Sequence, residues 1–397
     1  MSTEVTLKRQ LTLPLLTLYG LGTMVGAGIY VLVGEILAVS GAGAPLAFLL
    51  AAVVAGFTAQ SYGQLAGRFP KSAGEAVYVQ EAFGRPWLTR LTGWSVVVTG
   101  LVSSGTLANG FGGYFSFFIP GWSTPVEVAF ILVLGAVAAW GISHTVWLAA
   151  AITASSIVGL LIVLAMSGRY LVDLPGALAS MVPTTPEFGL AICLGAFVAF
   201  YAFVGFEDMV NVAEETHAPE RTMGPAILIA LITAASLYVL VAFVAVLANR
   251  ELDLAGHPAP LAAMVAHAGG HWGATIALLS MLSVTNSALA QIVMVSRVVY
   301  GMARAGNAPA AFARIHPTRQ TPLIATALTV LIILVLATSF PLLTLAKATS
   351  LVILVIFTLI NLALLRLKLS GQVPDHGRWV PIVGASLSVG LMIMSLL

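Results

Sequence analysis

The sequence predicts an all-α polytopic membrane protein, on three observations. The first is composition: of 397 residues, 59% are hydrophobic and only 8% are charged, against roughly 25% charge in an average soluble domain. With a mean hydropathy of +1.02, the chain cannot cover a water-facing surface. A soluble enzyme, a secreted domain and a disordered chain are therefore excluded. The second is a series of eleven apolar runs, each close to the roughly 20 residues that cross a bilayer as a helix. The third is the absence of ten-residue segments of alternating polarity, the mark of a membrane β-barrel. Lipid leaves no partner for an open backbone, so every span must be helical.

In order, the runs cover 13–39, 43–66, 88–118, 124–142, 146–167, 188–212, 223–248, 271–303, 322–339, 342–365 and 380–397. Phe69-Pro70-Lys71, Pro120-Gly121, Pro183 to Pro186, Pro309, Pro317 and Pro374 separate them. The first run is too long for a signal-peptide core and no small-residue cleavage pattern follows it, so it reads as a mature helix.

Basic residues orient the chain. With the N-terminus in the cytoplasm, Lys8, Arg9, Arg68, Lys71, Arg85, Arg90, Arg221, Arg297, Arg304, Arg314, Arg319, Arg366, Lys368 and Arg378 fall inside, fourteen of the 17 Lys and Arg. Arg169 and Arg250 fall outside, and Lys347 lies near the outer end of span 10. That is a positive-inside distribution, and one misplaced span would scramble it. The alanine- and glycine-rich chain suggests a prokaryotic inner membrane.

Spans 1 and 6 do not read as lipid-facing rods. Span 1 contains Gly22-Thr23-Met24-Val25-Gly26-Ala27-Gly28-Ile29-Tyr30, and span 6 contains Phe200-Tyr201-Ala202-Phe203-Val204-Gly205-Phe206-Glu207-Asp208. Glycine weakens a helix by about 1 kcal/mol relative to alanine, and an intramembrane carboxylate is costly unless it faces protein or a water cavity. Glycines in membrane helices also serve close packing alone. What favours a site is that the two features sit five spans apart, in helices crossing in opposite directions. That is the pattern of an inverted-repeat transporter with its site at two broken helices.

At these residues the chain resembles the amino acid–polyamine–organocation family of permeases. Gly26-Ala27-Gly28-Ile29-Tyr30 is similar to the family's Gly-x-Gly-Ile-Phe, and Tyr62-Gly63-Gln64-Leu65 with Pro70 to its Tyr-x-Glu-Leu…Pro. Glu214-Glu215-Thr216-His217-Ala218-Pro219-Glu220-Arg221, Ala303-Arg304-Ala305-Gly306 and His316-Pro317 resemble later segments in the right order. The resemblance covers nearly the whole chain. It implies a LeuT-like fold: a cytoplasmic tail (1–12), a first inverted repeat (13–170, helices 1–5), a second (187–368, helices 6–10) and an additional helix 11 (378–397). Helices 1 and 6 would be discontinuous. It implies secondary transport of an amino acid or related amine by alternating access, with proton coupling, or else sodium coupling or exchange. The family usually has twelve spans, which leaves monomer or homodimer open.

The resemblance places substrate at Val25, Gly26, Ala27, Gly28 and Ile29 in helix 1 and at Phe200, Tyr201, Ala202, Phe203 and Gly205 in helix 6. Freed N–H groups there would bind a carboxylate and freed carbonyls an ammonium. Tyr201 aligns with an aromatic gate; the plain alternative is core packing. Ser103 and Ser104 lie where the family lines its pocket, or else bond only backbone carbonyls of their own helix. Glu207 and Asp208 are candidates for coupling or gating, or for structural ties. Many members carry a lysine in helix 5 that fills a sodium position. Here Ser155 and Ser156 stand nearest that place, with Ser283, Thr285 and Asn286 in helix 8 as possible partners of a real sodium ion.

A membrane enzyme would need a nucleophile–base pair or clustered ligands, a receptor a ligand domain, and a channel a polar pore stripe; none is visible. Cys193 is the only cysteine, and the seven histidines show no ligand spacing inside a span, so no metal and no cofactor is expected. A net charge of +2 gives no case for nucleic acid. With Glu207 and Asp208 the only evident buried charges, the sequence leans toward a neutral or small amino acid substrate.

Overall fold

A computed structural model describes residues 9, 11–26, 28–71, 74–141, 146–173, 176, 178–179, 181–374 and 376–396. Helix occupies each of the eleven apolar runs. Span 1 is divided into α1 (Leu13–Val25) and α2 (Gly28–Ser40), and span 2 is α3 (Ala44–Arg68). A short helix that the runs did not include, α4 (Gly74–Phe83), follows. Spans 3 to 5 are α5 (Pro86–Ser116), α6 (Ser123–Trp140) and α7 (Val146–Met166). Span 6 opens as α8 (Pro186–Phe200) and continues as two 3₁₀ segments, Tyr201–Phe203 and Glu207–Glu215. Then come α9 (Pro219–Leu252), the short α10 (Pro260–Ala266), α11 (Trp272–Arg304), α12 (Leu323–Ser339), α13 (Leu342–Leu369) and α14 (Trp379–Met394).

Among the described residues, eight helical segments are long and apolar enough to cross a membrane, the first running from Leu13 to Arg68 through α1, α2 and α3; α12 and α14 are apolar but shorter. The helix starts follow local chemistry. Proline stands in the first turn of α1, α3, α5, α8, α9 and α10, where its missing N–H costs nothing. Thr185 caps α8 by accepting from the Phe188 N–H at 3.3 Å, satisfying one of the free donors at a helix start.

Packing follows one scheme. α3 lies along α9, α5 along α11 and α6 along α12, and the two parts of span 1 meet span 6. Glycines set these approaches. A methyl group on Gly63 would stand 2.7 Å from Gly224 Cα across α3 and α9, so the two backbones touch. Ridge-to-groove packing that close is how membrane helices gain dispersion energy without a hydrophobic driving force. On the far side, Asn361 of α13 is fully buried, accepting from Ser61 Oγ at 2.6 Å and donating to Thr58 Oγ1 at 2.8 Å. It ties α13 to α3.

Candidate functional site

The two interrupted spans meet. In span 1 the α-helix stops at Val25; Gly26 keeps helical dihedrals (φ −65°, ψ −45°), Ala27 lies outside the described residues, and helix resumes at Gly28. In span 6 the α-helix stops at Phe200, Val204 is extended (φ −61°, ψ 129°) and Gly205 has φ +125°. Only glycine adopts that last conformation without strain. A methyl on Gly28 would stand 2.1 Å from Ala202 Cα, and one on Gly205 would stand 2.8 Å from Thr23 C. Thr23 Oγ1 donates to Gly205 O at 2.9 Å. The backbones of the two breaks are therefore in direct contact, with no room for side chains between them. Val25 and Ile29, on either side of the break, are fully buried.

Tyr201 is buried at the end of α8, and its hydroxyl lies 3.0 Å from Ser103 Oγ on α5 and donates to Ser103 O at 3.3 Å. The two serines of helix 3 thus separate: Ser103 joins the break, whereas Ser104 donates to Gly100 O of its own helix at 2.7 Å. Phe200 packs edge-on against Phe357 (5.6 Å) and Phe203 tilts onto Tyr238 (5.3 Å), forming an apolar wall behind the site.

The other side of the span 1 break faces α11. A methyl on Gly26 would fall 2.0 Å from Ser287 Oγ and 2.9 Å from Ser283 O. Ser283 Oγ accepts from Ser156 Oγ of α7 at 2.7 Å. Tyr30 of α2 donates to Ser156 O, and Tyr114 donates to Tyr30 O at 2.6 Å, a chain of donors bracing the region. Ser155 instead bonds Ile152 O, and Thr285 bonds Met281 O, each inside its own helix; Asn286 is half-buried on α11. Of the helix 5 and helix 8 candidates, Ser156 and Ser283 come together at the break, and Ser155, Thr285 and Asn286 do not.

Glu207 and Asp208 diverge, as a rotation of about 120° per residue in a 3₁₀ segment requires. Glu207 Oε2 accepts from the Gly205 N–H at 2.8 Å, so it satisfies a backbone donor freed by the break. Asp208 Oδ2 accepts from Gln291 Nε2 of α11 at 3.1 Å. A third carboxyl joins them: Glu75 of α4, 3% exposed, lines the same cleft with Thr99, Glu207, Asp208 and Gln291. Its Oε1 lies 3.5 Å from Tyr62 Oη. α4 stands outside the spanning runs, and burial there pushes the Glu75 carboxyl up to about 7, with the Asp208 carboxylate adding to the rise.

Sequence reasoning missed Thr23, Glu75, Ser287 and Gln291. Thr23 lies inside the glycine-rich segment already singled out. Ser280, Ser283, Ser287 and Gln291 are all buried and recur at three- and four-residue steps, a polar stripe along one face of α11 that was readable as such. Glu75 carried no signal, because nothing local showed that the residues after Pro70 fold back onto span 6. Near the end of span 6, Leu11 clamps the following loop: its N–H donates to Glu215 O at 3.0 Å and its carbonyl accepts from the His217 N–H at 2.9 Å.

A family model described as amino acid permease matches residues 11–397. The chain is 27% identical to a branched-chain amino acid permease of Bacillus subtilis, over 99% of this chain and 88% of the relative. It is 32% identical to an uncharacterized transporter of Mycobacterium tuberculosis, over 95% and 84%. It is 29% identical to cationic amino acid transporter 4 of Mus musculus, over 81% of this chain and 54% of that longer protein.

Proposed function

Because the chain belongs to the amino acid permease family, we propose that it is a secondary transporter moving an amino acid across a cytoplasmic membrane by alternating access, with the two breaks as its substrate site. The observation that carries this reading is the contact of Gly28 with Ala202 and of Thr23 with Gly205. A break ahead of α2 would free backbone N–H groups at its start and place the positive end of a helix dipole there, which suit a carboxylate. The carbonyls around Tyr201–Phe203 suit an ammonium. One zwitterion satisfies both, so an α-amino-acid head group needs no charged side chain. Tyr201, held by Ser103, is the gate over that site.

The repeat is read as 5+5. Spans 1 and 6, 2 and 7, 3 and 8, and 4 and 9 each pack against their counterpart five spans on, as an in-plane two-fold relation would require. Residues 13–170 and 187–368 are the two repeats, and the N-terminus lies on the cytoplasmic, arginine-rich side.

Coupling to protons is the first reading, through Glu207 and Asp208. Coupling to sodium is the second, favoured by one observation: the Ser156–Ser283 hydroxyl pair beside Gly26 offers neutral oxygens where a lysine ammonium is absent. Uptake of labelled amino acids into proteoliposomes under an imposed pH gradient and, separately, a sodium gradient tests both. Accumulation driven by the pH gradient supports the first, and accumulation driven by sodium alone supports the second. Accumulation of no amino acid under either gradient, and no exchange against internal amino acid, contradicts the transport reading itself.

A further inference from the structure

The cleft that Glu75, Glu207 and Asp208 line beside the break in span 6 is nearly full. Its free space is about 10 Å³, room for one water molecule and nothing larger. Thr99 of α5 and Gln291 of α11 complete its polar lining, and apolar side chains close it. The hydrogens of these two are already committed. Thr99 Oγ1 donates to Ser95 O of its own helix at 2.9 Å, and Gln291 Nε2 donates to Asp208 Oδ2. Gln291 is 8% exposed, and its Oε1 is buried with no hydrogen-bond partner among the described residues. That oxygen faces α5 next to Thr99, since a methyl on Gly100 would stand 3.2 Å from it. A buried acceptor left unmet is costly. The cleft therefore lacks a donor, and one small enough to fit.

Charge narrows the choice. No lysine, arginine or histidine lines the cleft, and like charges in one dry site disfavour each other's ionisation. A metal ion is not the remedy: among the described residues no three His, Cys, Asp or Glu side chains stand close enough to share one. A proton is. On one carboxyl it removes a charge and creates the missing O–H donor, and one water spans to an acceptor that the carboxyl does not reach.

The groups around Glu75 leave it free to exchange that proton. Tyr62 Oη of α3 lies 3.5 Å from its Oε1, and Tyr78 of α4 has a buried hydroxyl without a partner among the described residues. Glu207 and Asp208 face it from span 6, and beyond them Tyr19 of α1 lies within electrostatic reach of Asp208 and Arg297. Basic residues of the two helices packed on α4 are engaged elsewhere. Arg90 of α5 turns back to Pro86 O, and Arg366 and Lys368 of α13 donate to Ala82 O and His376 O. With its carboxyl pushed up to about 7 by burial, Glu75 changes charge near neutral pH.

We propose that Glu75, Glu207 and Asp208 form one proton-binding site, in which a single proton passes between the carboxyls through one water and Glu75 is the terminus away from the substrate. The proposal rests on the proton-coupled reading above and adds to it a carboxyl from outside the spans. Glu207 stands at the break, where it accepts from the Gly205 N–H; Glu75 stands on α4, in the connection between spans 2 and 3. A proton taken from water on one face and returned to water on the other balances the step without a further reactant.

The first test needs no substrate. Infrared difference spectra of the purified full chain, taken across neutral pH, read the band of a protonated carboxyl. Wild type is expected to gain a buried-carboxyl band as pH falls through about 7. Glu75→Gln is expected to lose that band and Glu75→Asp to keep it. If Glu75→Gln does not give monodisperse protein, Gln291→Leu serves instead: with the acceptor gone, the band should move to the frequency of a carboxyl that donates to nothing. A band unchanged in Glu75→Gln, or unmoved in Gln291→Leu, overturns the site. The second test is transport in proteoliposomes of whichever labelled amino acid accumulates. Relative to its counterflow at equal pH on both sides, Glu75→Gln is expected to lose about tenfold or more of the accumulation driven by a pH gradient, the size of a typical coupling between two sites. A merely structural glutamate would lower both alike, and that result overturns the proposal. Accumulation driven by sodium alone also overturns it and leaves the transport reading standing. A Glu75 band with no accumulation or counterflow of any amino acid does the reverse.

Discussion

The hydroxyl of Thr23 donates to the carbonyl of Gly205 at 2.9 Å, joining residues 182 apart in the chain. Thr23 lies in the last turn of α1 and Gly205 at the interruption of span 6, so this bond ties a helix end to an irregular segment. Main-chain groups freed by an interruption have no water to turn to inside a membrane. They stay tolerable here because the other interruption, Glu207 and Ser287 surround them. A substrate head group is the remaining partner that the proposed function supplies.

Adding bulk where the two spans touch should be disruptive. Gly28→Ala places a methyl 2.1 Å from Ala202 Cα, a backbone atom that cannot swing aside. Overpacking of this kind costs ~1–3 kcal/mol, and the displaced break should lower uptake more than tenfold at an unchanged level of membrane-inserted protein. Gly26→Leu, which would drive into Ser287 and Ser283 O, should behave alike. Uptake by reconstituted variants, normalised to protein, checks this; wild-type rates would remove the breaks from the site.

The two serines of span 3 should separate in function. Ser103→Ala removes one partner of the Tyr201 hydroxyl, and Tyr201→Phe removes the other side of the same contact. Each should raise KM by roughly fivefold, matching a loss of ~1 kcal/mol per neutral hydrogen bond. Ser104→Ala loses only a bond to Gly100 O of its own helix and should transport at wild-type KM. A double variant no worse than either single one would show that the two residues act as a unit.

Ion coupling should be decided at two places. If sodium is used, Ser283→Ala and Ser156→Ala, each stripping one hydroxyl from the pair beside Gly26, should weaken sodium dependence about tenfold while sparing substrate affinity at saturating sodium. If protons are used, Glu207→Gln should flatten the pH profile of uptake, with the serine variants unaffected. Uptake measured across pH and sodium concentration reads both at once.

Glu75 gives a pH signature of stability. Its carboxyl is raised from 4.5 to about 7, first by burial and then by Asp208, so the native state favours the protonated form. The corresponding stability is fully present below about pH 4.5 and is lost as pH rises through about 7. Glu75→Gln should therefore flatten the fall in melting temperature between those limits. A curve for Glu75→Gln parallel to wild type would mean that Glu75 does not titrate in this window.

The fold was largely legible in the sequence. Eleven apolar runs could be counted because the bilayer imposes length and apolarity on every span, and the two unusual spans showed as a glycine cluster in span 1 and as Gly205 beside two carboxylates in span 6. Ser103 and Ser104 could not be told apart, because one residue of rotation decides which faces Tyr201. Ser283, Thr285 and Asn286 read alike as polar candidates of span 8, yet Thr285 bonds its own helix and the α11 stripe runs through Ser283, Ser287 and Gln291. Glu75 was invisible, since its place depends on α4 folding back between α5 and α13, a long-range contact with no periodic trace.

The central claim is that the breaks hold an amino acid by its carboxylate and ammonium. Counterflow in proteoliposomes loaded with the twenty unlabelled amino acids measures it directly, using whichever labelled one accumulates, in competition with its carboxyl-amide and its decarboxylated amine. The account predicts that the free amino acid competes and that both derivatives fail, because each removes the anion that the start of α2 would bind. Competition by the amide or the amine equal to that of the free amino acid would contradict it.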